Sequence, residues 1–87
     1  MVDGLAGKRR GRIEIMMDIL DRASKGMNKT DIGYGANLNL NMVNGYLPLL
    51  MKRGLIVRVD GETGDIFRIT QKGRKVLKNY REIEKIT

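Results

Sequence analysis

Met27-Asn28-Lys29-Thr30-Asp31-Ile32 and, eleven residues further on, Leu38-Asn39-Leu40-Asn41-Met42-Val43 decide the fold. In the first segment Asn28 can cap a helix, Asp31 stands at N3, and Met27 and Ile32 occupy N′ and N4. That pattern is a near capping box with a hydrophobic staple. The second segment repeats the device, with Asn39 as cap and Leu38 against Val43 as staple. Gly35-Ala36-Asn37 between them suits a turn, because Gly and Asn tolerate positive φ. Two capped helices joined by so few residues make a helix-turn-helix.

Working outward, the later helix of the pair should run from Leu40 to about Arg53. Helical spacing gathers Leu40, Val43, Tyr46, Leu47 and Leu50 on one side and Asn41, Asn44, Gly45, Pro48 and Lys52 on the other. Gly54 stands where a left-handed C′ residue is expected, and Leu55 can contact Leu50 in a Schellman motif. Pro48 removes one helical hydrogen bond and predicts a bend. Upstream, Ile13, Met16, Met17, Leu20 and Ala23 recur at helical spacing from Arg12 to near Ser24, with Gly26 as the stop and Ile15 and Ile19 widening the apolar face. Downstream, Leu55 to Val59 and Asp65 to Ile69 are β-rich segments around the loop Asp60-Gly61-Glu62-Thr63-Gly64, a hairpin pattern. Thr70 then caps a last helix, Gln71 to about Lys85, with apolar Val76, Leu77, Tyr80, Ile83 and Ile86.

This order predicts an α+β fold, a winged helix-turn-helix of three helices and a two-stranded β-hairpin wing with an additional C-terminal helix. Residues 1–11, with glycines and no periodicity, read as a flexible basic arm; 12–70 form the winged-helix domain and 71–87 the C-terminal helix.

Composition narrows the chemistry. The 87 residues hold 17 Lys and Arg against 10 Asp and Glu, a formal net charge of +7. So basic a small domain points to a polyanionic partner, usually nucleic acid, although charge alone also keeps proteins apart in solution. With no Cys and no His, disulfides, thiolate metal sites and the usual general base are excluded. No Gly-rich phosphate loop is present, so an enzyme is not expected, nor a cofactor or a small-molecule substrate. Glu14, Asp18 and Asp21 read as solvated helix carboxylates rather than metal ligands. No apolar run approaches the ~20 residues of a membrane span, and no h-region follows the basic N-terminus. The expected location is cytoplasmic, on the nucleoid.

Lys29-Thr30, Tyr34, Gly35-Ala36-Asn37-Leu38, Leu47, Leu49-Leu50, Gly54-Leu55-Ile56 and Ile69-Thr70-Gln71-Lys72-Gly73 resemble the archaeal winged-helix proteins of the 10a type, small basic chromatin and regulator-like proteins. The resemblance spans roughly Arg9 to Tyr80, and the Lys-Thr…Tyr-Gly-Ala-Asn-Leu run is its most specific part. It implies binding of double-stranded DNA and homodimerisation through the last helix, here by Leu77, Tyr80, Ile83 and Ile86. The chain departs from the type in its short last helix, in Pro48 and in its acidic hairpin tip.

Duplex binding begins with phosphate neutralisation by Lys and Arg. Candidates are Lys8, Arg9, Arg10 and Arg12 in and beside the arm, Lys29 at the second helix, Lys52 and Arg53 late in the third, and Arg58 and Arg68 in the strands. Asn41 and Asn44 are candidates to read adenine in the major groove, where an Asn amide pairs with N6 and N7. Asn39 caps the helix and lies beside them, and Gly45 permits close backbone approach. The expected role is transcription regulation or chromatin architecture, bound chiefly through phosphates with the helix near 39–53 in the major groove. The alternative is a winged-helix protein-interaction module that does not bind DNA. Asp60, Glu62 and Asp65 would be repelled by a phosphate-lined groove, so the wing tip is expected to point away.

Overall fold

Side-chain oxygens of asparagine open both helices of the central motif. In a computed structural model that describes residues 10–87, Asn28 Oδ1 accepts from the Asp31 amide at 2.7 Å and Asn39 Oδ1 from the Met42 amide at 2.9 Å. These caps start α2 (Lys29–Ala36) and α3 (Leu40–Lys52). Between them Asn37 takes a left-handed conformation at φ 58°, and the Leu38 amide returns to the Gly33 carbonyl at 2.8 Å. The turn is shorter than expected, since Gly35 and Ala36 remain helical. Gly33 allows α2 and α3 to meet: a Cβ there would stand 3.0 Å from Val43 Cγ2.

Before this motif lie α1 (Arg12–Arg22) and a 3-10 turn at Ala23–Lys25, ended by Gly26 at φ 88°. Ile15, Met17, Ile19, Leu20 and Ala23 are buried, whereas Ile13 is 55% exposed. The apolar face therefore centres on the Ile15–Ile19–Ala23 stripe rather than on Ile13 and Met16. The reason is tertiary, because α1 packs against both α2 and the last helix and needs the wider face. In α3 Val43, Leu47 and Leu50 enter the core while Leu40, expected inside, is 58% exposed. Leu40 stands in the first turn, ahead of the core contacts. The helix continues as one element through Pro48, which is exposed.

The Schellman motif is present at the end of α3. Gly54 adopts φ 74°, its amide bonds the Met51 carbonyl at 3.0 Å, and the Leu55 amide bonds the Leu50 carbonyl at 2.9 Å. The hairpin that follows is tighter than expected. β1 (Ile56–Gly61) pairs antiparallel with β2 (Gly64–Ile69), leaving only Glu62 and Thr63 in the turn. Gly61 and Gly64 are partners, and a Cβ on Gly61 would stand 2.6 Å from the Gly64 carbonyl oxygen. Met27 adds a single bridge to the other edge of β2, exchanging backbone hydrogen bonds with Phe67 at 3.0 and 2.9 Å.

Thr70 closes the sheet onto α4 (Gln71–Ile86). Its hydroxyl donates to the Gly54 carbonyl at 2.6 Å and accepts from the Gly73 amide at 2.9 Å. A Cβ on Gly73 would stand 2.3 Å from the Leu55 carbonyl oxygen, so the Thr-x-x-Gly sequence is a close-approach requirement. The core assembles Ile19, Leu20, Ile32, Val43, Leu47, Leu50 and Ile56, all almost fully buried, with Phe67, Ile69 and Leu77 around them. Burial of these side chains supplies the main driving force of a chain this small.

Candidate nucleic-acid interface

The polar side of α3 is turned outward. Asn41, Asn44, Gly45, Pro48 and Lys52 are all exposed, and nothing lies within 4 Å of the position a Gly45 Cβ would take. Asn41 and Asn44, three residues apart, sit on one helical face with their amides free of protein partners among the described hydrogen bonds. Asn39 differs: its oxygen accepts from the Met42 amide, which holds the side chain in place as the cap.

The cations expected at phosphates are not alike. Lys8 and Arg9 lie outside the described residues. Arg10 is engaged internally: its guanidinium donates to Asp18 Oδ2 at 2.9 Å and to the Ala36 carbonyl, tying the start of α1 to the end of α2. Arg12, Lys52 and Arg53 are exposed and have no acidic partner among the described residues. Lys29 is half-buried, in a cleft with Thr30, Tyr34, Leu38 and Leu40. The strand arginines are not brought together. Arg58 pairs across with Phe67 and Arg68 with Val57, and successive strand positions alternate, so the two guanidiniums leave opposite faces of the hairpin. Arg58 is also held 3.5 Å from Asp65.

Carboxylates are unevenly distributed over the described surface. Among the described residues, three grooves along α3 have no carboxylate in their linings, and their charged residues are Arg12, Arg53 and Lys29. Glu14, Asp18, Asp21 and Glu84 instead line the groove between α1 and α4, with Arg10 and Arg81. There Tyr80 is held with its hydroxyl pKa above the ordinary value, by desolvation first and then by Glu84 and Glu14. At the wing tip Asp60 and Asp65 face each other across the strands.

Two surface side chains escaped the sequence reading. Tyr34 is 90% exposed and Leu40 58% exposed, and both line the cleft with Lys29 at the front of the motif. The signal was available for Tyr34: two positions beyond buried Ile32, it falls on the far side of α2. The apolar residues named for dimerisation also divide. Leu77 is buried in the chain's own core and Tyr80 packs against it, whereas Ile83 and Ile86 are 58% and 83% exposed.

A family model described as winged helix-turn-helix matches residues 9–87. The chain belongs to that family. In winged-helix terms α2 and α3 are the helix-turn-helix, the hairpin is the wing, and α3 holds the position of the recognition helix. Among solved structures the chain is similar to Sso10a-2, a DNA-binding protein from Sulfolobus solfataricus, at 35% identity and TM-score 0.78 over 88% of this chain and 81% of that one. This bears out the resemblance to the 10a type. The transcriptional regulator BldR of the same organism shares the fold at 21% identity and TM-score 0.75, over 82% of this chain and 54% of BldR. Streptococcus pneumoniae FabT, solved in complex with DNA, shares it at 21% identity and TM-score 0.71, over 98% of this chain and 66% of FabT. No curated protein matches by sequence.

Proposed function

We propose that this winged-helix protein binds double-stranded DNA through the outward face of α3 and acts in chromatin architecture or transcription regulation on the nucleoid. The observation that carries the reading is the exposed set Asn41, Asn44, Gly45 and Lys52 on α3, with Arg12 lining the groove at Gly45, Arg12 and Arg53 the groove beside it, and no carboxylate in either lining. Phosphates meet the cations, which need no particular sequence, while the two amides have the geometry to read adenine in the major groove. The similarity to Sso10a-2 supports the same reading. With no guanidinium on α3 ahead of Lys52, guanine recognition from this helix is weak, and discrimination among sequences is shallow.

Phosphate binding has a measurable signature. Affinity for a duplex falls as salt rises, log K declining by ~0.9 per log unit of salt for each phosphate neutralised. Replacing Arg12, Lys52 and Arg53 with Gln lowers both affinity and slope. A duplex affinity indifferent to salt, or unchanged in that triple variant, refutes the reading. Self-association belongs to the end of α4, where Ile83 and Ile86 leave apolar surface, and not to Leu77, whose surface the monomer has already used.

A further inference from the structure

The groove between α1 and α3 has a lining that phosphate contacts do not explain. Ile13, Met16, Leu49 and Leu55 form its floor and Arg12 and Arg53 its charged residues, in an open cleft of about 440 Å3. Ile13 stays 55% exposed and the other three are only partly covered. Two guanidiniums flank this apolar floor without any carboxylate in the lining and without an acidic partner among the described residues. A DNA backbone would use the guanidiniums and gain nothing from four apolar side chains. A second copy of the chain would bring its own share of the +7 charge to a cationic groove. The volume of the cleft lies within the ~300–1,000 Å3 usual for small-ligand sites.

We propose that this groove binds a small organic carboxylate, its apolar body on Ile13, Met16, Leu49 and Leu55 and its carboxylate between Arg12 and Arg53. Guanidinium forks match carboxylate oxygens, and the apolar floor selects an acid with a hydrophobic body over a free inorganic anion. Occupancy also has a consequence that rests on the DNA-binding reading. Arg12 and Arg53 are two of its phosphate contacts, so ligand and duplex compete for them, and the acid acts as a releasing effector.

The test uses naphthoate as the probe, its neutral counterpart naphthylmethanol, and acetate, which lacks the apolar body. Binding to the full chain without DNA is followed by amide chemical shifts. Naphthoate should shift residues around Ile13, Leu49 and Arg53 and bind about tenfold tighter than naphthylmethanol, the ratio of roughly one charge-assisted hydrogen bond; acetate should not bind. The double variant Arg12→Gln/Arg53→Gln should bring naphthoate and naphthylmethanol to parity. Ile13→Glu, at an exposed position where the fold tolerates it, should abolish naphthoate binding. Equal binding of the two naphthalenes to the wild type, or shifts confined to another surface, overturns the site. With the site established, saturating naphthoate should weaken duplex binding and flatten its salt slope by ~0.9 for each of the two contacts. An unchanged slope overturns the competition. A chain that binds naphthoate in the groove and no duplex at all would refute the DNA-binding reading and leave the carboxylate site standing.

Discussion

At the scale of single residues, two glycines in different helices carry opposite requirements. Gly73 lies where a Cβ would collide with the Leu55 carbonyl, so Gly73→Ala forces the start of α4 away from the wing. A loss of about 2 kcal/mol is expected in urea unfolding, as for an overpacked core site, despite the helix propensity gained. Gly45 has open space around it, so Gly45→Ala should instead stabilise α3 by about 1 kcal/mol. The same methyl would hold DNA away from the backbone, so affinity should fall severalfold while stability rises. Asn39→Asp separates cap from contact in a similar way: aspartate keeps the bond to the Met42 amide but sets a negative charge beside the proposed phosphates. Unfolding should be unchanged and duplex affinity reduced. Tyr80 supplies a pH dependence with a definite sign. Its hydroxyl pKa is raised above 10.0 in the fold, so its contribution is complete below that value and is lost as pH rises through the raised one. Tyr80→Phe should therefore make the alkaline limb of the stability profile shallower.

At the scale of elements, the caps carried most of what was legible. Asn28, Asn39 and Thr70 each make the hydrogen bond that their position in the chain foretold, and Gly54 closes α3 in the expected Schellman motif. These signals are local, requiring only a side chain and a backbone group three to five residues away. Less legible were facts decided by packing at long range. The rotation of α1 toward Ile15 and Ile19 depends on its having two neighbours, and the Met27–Phe67 bridge joins residues far apart in the chain. The length of the wing turn escaped because Asp60 and Asp65, both poor strand residues, pair there against propensity. Arg10 shows the same limit at the candidate site: as one cation in a basic cluster it read as a phosphate ligand, yet it bridges α1 to α2. The wing also has a testable consequence. Asp60→Asn removes a like-charge pair across the strands, so the hairpin should gain a few tenths of a kcal/mol. Duplex affinity should stay the same, because the tip is expected to stand clear of DNA; a marked rise in affinity would put the tip at the phosphates.

At the scale of the whole molecule, carboxylates are unevenly placed. Carboxylates gather between α1 and α4 and at the wing tip, while the grooves along α3 are lined by cations without carboxylates. Cations also gather on α4, where Arg74, Lys78, Arg81 and Lys85 line a groove with Asp21 and Glu82, so the contact surface is decided by α3's exposed side chains rather than by the field alone. A further exposed apolar surface is at the end of α4, where Ile83 and Ile86 stand out. Changing both to Asp should leave the fold intact, since neither belongs to the core, and should reduce self-association in sedimentation experiments at high micromolar concentration. The most direct measurement of where DNA docks is an amide-shift map of the isotopically labelled protein titrated with a short duplex at low salt. Shifts should concentrate on residues 39–48, with Lys29, Tyr34, Lys52 and Arg53 beside them, and should fade as salt is added. Shifts confined to the α1–α4 groove or the wing tip, or no shifts at all, would contradict it.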